Sequence, residues 1–153
     1  MILKGTVTDL YSVCRYDEQQ AAQLAPYIES GKAELFIARE NGIAVSWLLF
    51  FHQLEDKEAA NGINRAFITL PDFSRSTGAA TELIEQSCRT ARANRYTEIT
   101  TATKDIDSAA LLEKLCFTDK IKDSANHLVF KNDNGQNIAC DEFGLYLRRL
   151  YLS

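Results

Sequence analysis

The most informative part of the chain is residues 68–80, which read ITLPDFSRSTGAA. Residues typical of a buried strand run into a proline, and a polar loop then leads to small residues typical of a first helical turn. The N–H groups and the positive dipole end of such a helix suit an anionic phosphate. Gly78 has no Cβ and would let a ligand approach the backbone closely. A helix that is merely capped would show the same pattern, so both interpretations stay open at this point.

The residues that follow this junction predict a long amphipathic helix. Small and apolar residues recur along one helical face, at Ala80, Leu83, Ile84, Ser87, Cys88 and Ala91. This spacing predicts about five helical turns. The β-branched segment Glu98–Thr103 then reads as a strand. A strand over Asn64–Leu70, a helix and a second strand imply a parallel crossover between the two strands.

The chain upstream of the junction predicts further elements of both kinds. β-branched and aromatic residues in the N-terminal segment to about Val13 predict a first strand. Apolar residues at helical spacing predict a helix over Asp17–Glu29, with Asp17 as its cap and Gly31 as its stop. Two strands follow over Leu35–Arg39 and Ile43–Gln53, joined by the hairpin dipeptide Asn41-Gly42.

The chain downstream of residue 103 is expected to add a short helix, two strands and a terminal helix. The short helix covers Ser108–Leu115 with Asp107 as its cap, the strands cover Phe117–Ile121 and His127–Lys131, and Asp133–Gly135 reads as a turn. Apolar and aromatic residues at helical spacing predict a helical extension at about 141–152, packed on the domain or against a second copy of the chain. The predicted class is α/β (α+β), with a mixed, mostly antiparallel sheet, a central parallel strand pair and helices on both faces. We expect a single domain over residues 1–153, because no linker or repeat interrupts the chain.

Composition excludes several classes of protein. The 153 residues carry a net charge of −4 with a pI of about 5.2, which argues against nucleic-acid or anionic-membrane binding. No apolar run is long enough to cross a bilayer, and no signal peptide is evident, so we expect a cytoplasmic protein. The four cysteines and two histidines form no ligand cluster, and no metal is expected.

Two motifs carry a resemblance to a known family. Arg75-x-x-Gly78-x-Ala80 resembles the Arg/Gln-x-x-Gly-x-Gly/Ala signature of the GNAT acetyltransferase superfamily, where it begins the helix that holds the coenzyme A pyrophosphate. The segment Asp105–Phe117 looks like the second motif of that family, and the strand between the two motifs falls where the family has its fifth strand. The resemblance extends over about Ala33–Lys131.

The resemblance implies a cofactor site and a reaction. Acetyl-CoA would lie between the two parallel strands and pass its acetyl group to a primary amine. The resemblance assigns the main-chain N–H of Thr69 or Leu70 to the thioester carbonyl, and Asp105 to the position of a coenzyme-contacting asparagine. It assigns the pyrophosphate to Arg75, Ser76, Thr77, Gly78, Ala79 and Ala80.

The chain departs from the family where acid–base chemistry is concerned. Leu112 replaces the tyrosine that often protonates the departing thiolate, Cys116 replaces a glycine, and the strand Asn64–Thr69 has no carboxylate to act as a base. His52 is a tentative base, although a partly exposed histidine at a strand end is the more ordinary interpretation. Three tyrosines of the N-terminal region, which lines the acceptor pocket in this family, could replace the missing acid: Tyr11, Tyr16 and Tyr27.

Three functions therefore remain to be separated. The first is acetylation of a small-molecule primary amine, the second is acetylation of a protein or peptide amine, and the third is non-catalytic binding of acyl-CoA. The first is our leading interpretation, and the departures at Leu112 and in the strand Asn64–Thr69 are the reason for keeping the third. The acceptor itself is not readable from any motif.

Overall fold

The computed structural model describes residues 2–14, 17–52, 65–69, 71, 77–103, 108, 110, 112, 128–131, 137–140 and 146–151. The helices are α1 (Val7–Val13), α2 (Glu18–Glu29) and α3 (Thr77–Ala93). The strands are β1 (Ile2–Gly5), β2 (Ala33–Glu40), β3 (Ile43–Phe51), β4 (Arg65–Ile68), β5 (Glu98–Thr103), β6 (Leu128–Lys131), β7 (Asn137–Cys140) and β8 (Tyr146–Tyr151). Ser108, Ala110 and Leu112 are helical, as predicted for the segment around them.

Six strands form one sheet in the order β1-β2-β3-β4-β5-β8. Strands β4 and β5 pair in parallel, and every other neighbouring pair in this sheet is antiparallel. Strands β6 and β7 pair as a separate antiparallel hairpin. The predicted mixed sheet with a central parallel pair is thereby confirmed.

Helices cover both faces of the sheet because side chains alternate along each strand. Leu35 and Ile37 of β2 belong to a buried cluster with residues of α1 and α2. Phe36 and Ala38 belong to a second buried cluster with residues of α3. We call these two sides the α1/α2 face and the α3 face.

Local signals determine where several elements begin and end. Asn41 and Gly42 both have positive φ, 53° and 78°, as a tight hairpin between β2 and β3 requires. The Asp17 carboxylate accepts a hydrogen bond from the Gln20 N–H and caps α2. Gly31, with φ of 77°, lies just beyond the end of α2, as predicted.

Two expectations for the chain ends are wrong. Residues 7–13 form α1 rather than part of the first strand, because Thr6 and Asp9 make a reciprocal capping box that starts a helix. Tyr146–Tyr151, predicted to lie in a helical extension at about 141–152, is strand β8. It pairs with the whole of β5, from Thr103↔Tyr146 to Glu98↔Tyr151, so an available strand edge outweighs the helical spacing of its apolar residues.

Other predictions for the C-terminal third have mixed outcomes. Strand β6 is close to the prediction for His127–Lys131, whereas β7 had not been expected. The predicted strand Phe117–Ile121 and the predicted turn Asp133–Gly135 lie outside the described residues. No helix in the described part of the chain is long and apolar enough to cross a membrane.

Candidate active site

The junction between β4 and α3 is where the sequence places the cofactor. Pro71 is buried beyond the end of β4, and α3 begins at Thr77. Gly78 is exposed on the first turn, whereas the methyl groups of Ala79 and Ala80 are buried. The two alanines therefore pack the helix start against the sheet, and any contact that they make with a ligand would come from the main chain. Four of the predicted site residues lie outside the described residues: Leu70, Asp105, Arg75 and Ser76.

Strands β4 and β5 stop pairing next to this junction. Their register runs from Arg65↔Glu98 to Phe67↔Thr100. One residue further along β5, the Thr101 hydroxyl donates a hydrogen bond of 2.8 Å to the carbonyl of Ile68. A side chain of β5 therefore bonds this carbonyl one residue beyond the last main-chain pair of the two strands.

Thr69 is attached to the opposite neighbour, β3. Its N–H donates to the carbonyl of Leu49 at 3.0 Å, and its hydroxyl accepts from the N–H of Leu49 at 2.8 Å. The Thr69 N–H is therefore engaged on the β3 side of β4, away from β5. Of the two donors that the resemblance offers, Thr69 is thus already engaged, and Leu70 stays a prediction outside the described residues.

His52 lies toward the other end of β4. It follows Phe51, which pairs with Phe67, and is therefore about 10 Å along the strand direction from the level of Thr69. It shares the α3 face with Phe50, whose ring centroid is 5.1 Å away. This position does not support the tentative role of His52 as the base for a reaction beside Thr69.

The His52 ring joins a chain of polar side chains instead. Its Nδ1 is 2.6 Å from the Tyr96 hydroxyl and its Nε2 is 3.0 Å from Glu34 Oε2. Lys4 Nζ lies 3.0 Å from the other Glu34 oxygen. Burial would raise the pKa of Glu34, but the hydrogen bonds and charges of Lys4 and His52 together hold it below its ordinary value. We call these four residues the polar chain; a cavity of about 300 Å³ lies beside three of them and is also lined by Asn94.

The remaining candidates have structural roles. Leu112 is fully buried in the cluster on the α3 face, so no acid acts from this position. Burial raises the pKa of the Cys14 and Cys88 thiols, which makes both of them poor nucleophiles. Within the described ranges, no group of three or more histidine, cysteine or acidic residues could hold a metal ion.

The structure also shows an aromatic group that the sequence did not single out. Tyr27, Phe51 and Phe67 lie in a row, with ring centroids 5.4 Å and 6.2 Å apart. Alternation along β3 and β4 could have placed Phe51 and Phe67 on one face. It could not have shown that Phe67 stays exposed in a central strand. Tyr11 is likewise exposed on α1, and Tyr16 lies outside the described residues.

Comparison with known proteins gives matches to solved structures. No protein-family profile and no curated protein matches the chain. An N-acetyltransferase from Staphylococcus aureus Mu50 is similar with a TM-score of 0.67 at 15% identity, covering 100% of this chain and 98% of that one. The polyamine N-acetyltransferase of Drosophila melanogaster is similar with a TM-score of 0.63 at 10% identity, covering 99% of each chain.

A third similar structure contains the expected ligand. This is yncA from Salmonella typhimurium, solved with its cofactor acetyl-CoA, with a TM-score of 0.62 at 12% identity over 100% of this chain and 94% of that one. Identities this low establish a shared fold rather than a shared substrate. The chain has the fold of the GNAT N-acetyltransferases.

Proposed function

We propose that the protein is an acetyl-CoA-dependent N-acetyltransferase that acts on a primary amine of a small molecule. The observation that carries the proposal is the central parallel pair β4 and β5, whose main-chain pairing stops at Phe67↔Thr100, next to the junction that leads to α3. In this proposal the narrow arm of acetyl-CoA lies between the two strands beyond their last pair, and its phosphates lie at the start of α3. The bound acetyl-CoA of one similar structure supports this assignment.

The start of α3 would hold the pyrophosphate. Gly78 leaves room for the backbone to approach it, and the helix dipole favours the negative charge. The residues proposed for this role are Arg75, Ser76, Thr77, Gly78, Ala79 and Ala80, the last two through their main chain. Asp105 occupies the coenzyme-contacting position that the resemblance assigns.

Leu70 is the residue that we propose for activating the thioester. Its main-chain N–H would donate to the carbonyl oxygen, where negative charge develops during attack. The nitrogen of the acceptor forms the new C–N bond, the C–S bond breaks, and the thiolate leaves with the electron pair. The ammonium proton passes to water, because the described residues place no base beside Thr69.

The lack of a tyrosine at position 112 bears on the last step. Leu112 is buried and cannot protonate the thiolate, so the thiolate would leave without an internal acid. Coenzyme A thiolate is a fair leaving group, and turnover is compatible with this loss. The same residue keeps a second candidate open, in which the protein binds acyl-CoA without catalysis.

The similar structures include enzymes named for two classes of acceptor. Among them are the Drosophila polyamine N-acetyltransferase and an agmatine N-acetyltransferase, which are named for small amines. Others are named ribosomal-protein-alanine N-acetyltransferases, so a protein amine is the alternative.

A single-turnover experiment tests the proposed function. The protein, in excess over radiolabelled acetyl-CoA, is mixed with a panel of small amines and with peptides that carry a free N-terminus. We expect acetyl transfer to at least one small amine, faster than hydrolysis of the thioester without acceptor. Transfer to peptides alone would show that the acceptor is a protein or peptide amine rather than a small molecule. Binding of acetyl-CoA without transfer to any amine would support the non-catalytic alternative.

A further inference from the structure

Three aromatic side chains form a continuous surface on one face of the sheet. Tyr27 of α2 packs edge-on against Phe51 of β3 at 5.4 Å between ring centroids and 79° between ring planes. Phe51 in turn lies 6.2 Å from Phe67 of β4. We call the three residues the aromatic row. Tyr27 is 38% exposed and Phe67 is 40% exposed, so both ends of the row face solvent.

The row lies on the α1/α2 face and leads toward the reaction centre. Phe51 packs against the cluster that α1 and α2 cover, and the register places Phe67 directly opposite Phe51. Thr69 follows two residues later on the same face of β4, about 7 Å along the strand. The exposed end of the row is therefore adjacent to the residue that precedes Leu70, the proposed thioester donor. Coenzyme A would bind at the start of α3, which covers the other face.

Phe67 differs from the other large exposed apolar side chains in the described part of the chain. Leu3 lies on the edge strand β1, Ile43 begins β3 beside a hairpin turn, and Tyr11 lies on a short surface helix. Phe67 belongs to a strand with neighbours on both sides, in the middle of the sheet. Such a position normally buries its side chain, and an exposed aromatic ring there marks a surface that a ligand can cover.

The chemistry of the row indicates what would cover it. Aromatic rings interact favourably with another ring in an offset or edge-to-face arrangement, beyond the area that they bury. The accessible carboxylate of Glu34 faces the other side of the sheet, where it is bound to Lys4 and His52. Glu98 belongs to the same face as Phe67 by register, but it is only 4% exposed. Among the described residues, neither of these two carboxylates offers an accessible negative charge beside Phe67, which favours a ring over a chain of positive charges at this end of the row.

We propose that the aromatic row binds the carbon skeleton of the acceptor, and that the acceptor is a primary amine with an aryl group two or three carbons from its nitrogen. The proposal rests on the proposed function and narrows its substrate class. A ring seated on Phe67 would place such an amine near the thioester, because the linker spans roughly the separation of Phe67 and Thr69. The transfer step itself is unchanged.

Steady-state kinetics at saturating acetyl-CoA test the proposal with three probe amines: 2-phenylethylamine, ethylamine and spermidine. The wild type should show a kcat/KM for 2-phenylethylamine at least about 10-fold above that for either other amine, as expected when a ring contact favours one ligand. Phe67→Ala should bring this preference close to 1, mainly by raising KM for 2-phenylethylamine. Phe67→Tyr should keep the preference.

Two further variants serve as controls for folding and for position. Phe67→Leu retains an apolar side chain in β4 and should fold even if the alanine variant does not, while still losing most of the preference for the aryl amine. Ile43→Ala removes an exposed apolar side chain far from the row and should match the wild type. A wild type that prefers spermidine, or a Phe67→Leu protein that keeps the full preference for 2-phenylethylamine, would overturn the proposal.

A direct binding measurement separates this proposal from the proposed function. Saturation-transfer NMR should detect 2-phenylethylamine on the wild type and a clear loss of signal on Phe67→Leu, whether or not any amine is acetylated. If acetyl-CoA binds and the aryl amine does not, the inference fails and the proposed function survives. If the aryl amine binds and no acetyl group is transferred, the inference survives and the proposed function fails.

Discussion

His52 shows how completely the neighbours of a residue determine its role. Its two ring nitrogens lie within hydrogen-bond distance of the Tyr96 hydroxyl and the Glu34 carboxylate. Because a carboxylate can only accept, the imidazole donates to Glu34 from Nε2. The polar chain thereby connects β1, β2 and β3 to the turn after α3, at the end of the sheet remote from Thr69.

The loss of stability at acid pH should depend in part on Glu34. Its folded-state pKa lies below the ordinary value because Lys4 and His52 stabilise the carboxylate. Such a group adds stability above its unfolded pKa, about 4.3, and that contribution is lost as pH falls through the lower folded pKa. Urea unfolding between pH 7 and pH 3 should therefore show a shallower loss of stability in Glu34→Gln than in the wild type. The matched variant Glu29→Gln, at an exposed position of α2, should follow the wild type; identical pH profiles for all three proteins would contradict this role.

Single residues were predictable from the sequence where their signal is local. Asn41, Gly42 and Asp17 act through their own backbone or that of the next few residues, and all three behave as predicted. The choice between Thr69 and Leu70 could not be made in the same way. It depends on β3, because the carbonyl of Leu49, 20 residues earlier in the chain, accepts the hydrogen bond of the Thr69 N–H.

At the scale of elements, β8 is the clearest departure from expectation. Its residues Tyr-Leu-Arg-Arg-Leu-Tyr have apolar side chains at spacings that fit a helix, and aromatic residues that also suit a strand. A pattern of six residues does not distinguish a helix from a strand. The segment forms a strand because it pairs with the edge of β5. That edge is a property of the sheet rather than of residues 146–151.

Arg149 offers a matched pair of substitutions that distinguishes strand from helix. It pairs with Thr100 in the register. Threonine is favoured over alanine in strands, whereas alanine is favoured in helices, each by about 0.5–1 kcal/mol. Arg149→Thr should therefore be more stable than Arg149→Ala in urea unfolding. The opposite order of stability would show that this segment is helical in solution.

At the scale of the molecule, α3 separates two polar regions. Its first turn lies at the proposed cofactor site, and its last turn leads to Tyr96 and the polar chain, roughly 25 Å away. The sequence predicted the region at the first turn because a strand, a loop and a helix start are contiguous there. The region around His52 and the aromatic row could not be predicted, since each assembles residues from distant elements.

We expect the start of α3 to bind the pyrophosphate of coenzyme A. Gly78 is exposed on that first turn, so a side chain placed there would occupy the ligand position without disturbing the core. Gly78→Glu should remain folded, because an acidic residue is favourable in a first helical turn, but its carboxylate would repel the phosphates. Ala93→Glu introduces the same side chain at the exposed last residue of α3 and serves as the control.

Calorimetric titration of the three proteins with acetyl-CoA is the most direct test. We expect saturable binding by the wild type and by Ala93→Glu, and no measurable binding by a folded Gly78→Glu protein. A wild type that gives neither heat nor thermal stabilisation with acetyl-CoA, or a Gly78→Glu protein that binds as tightly as the wild type, would contradict it.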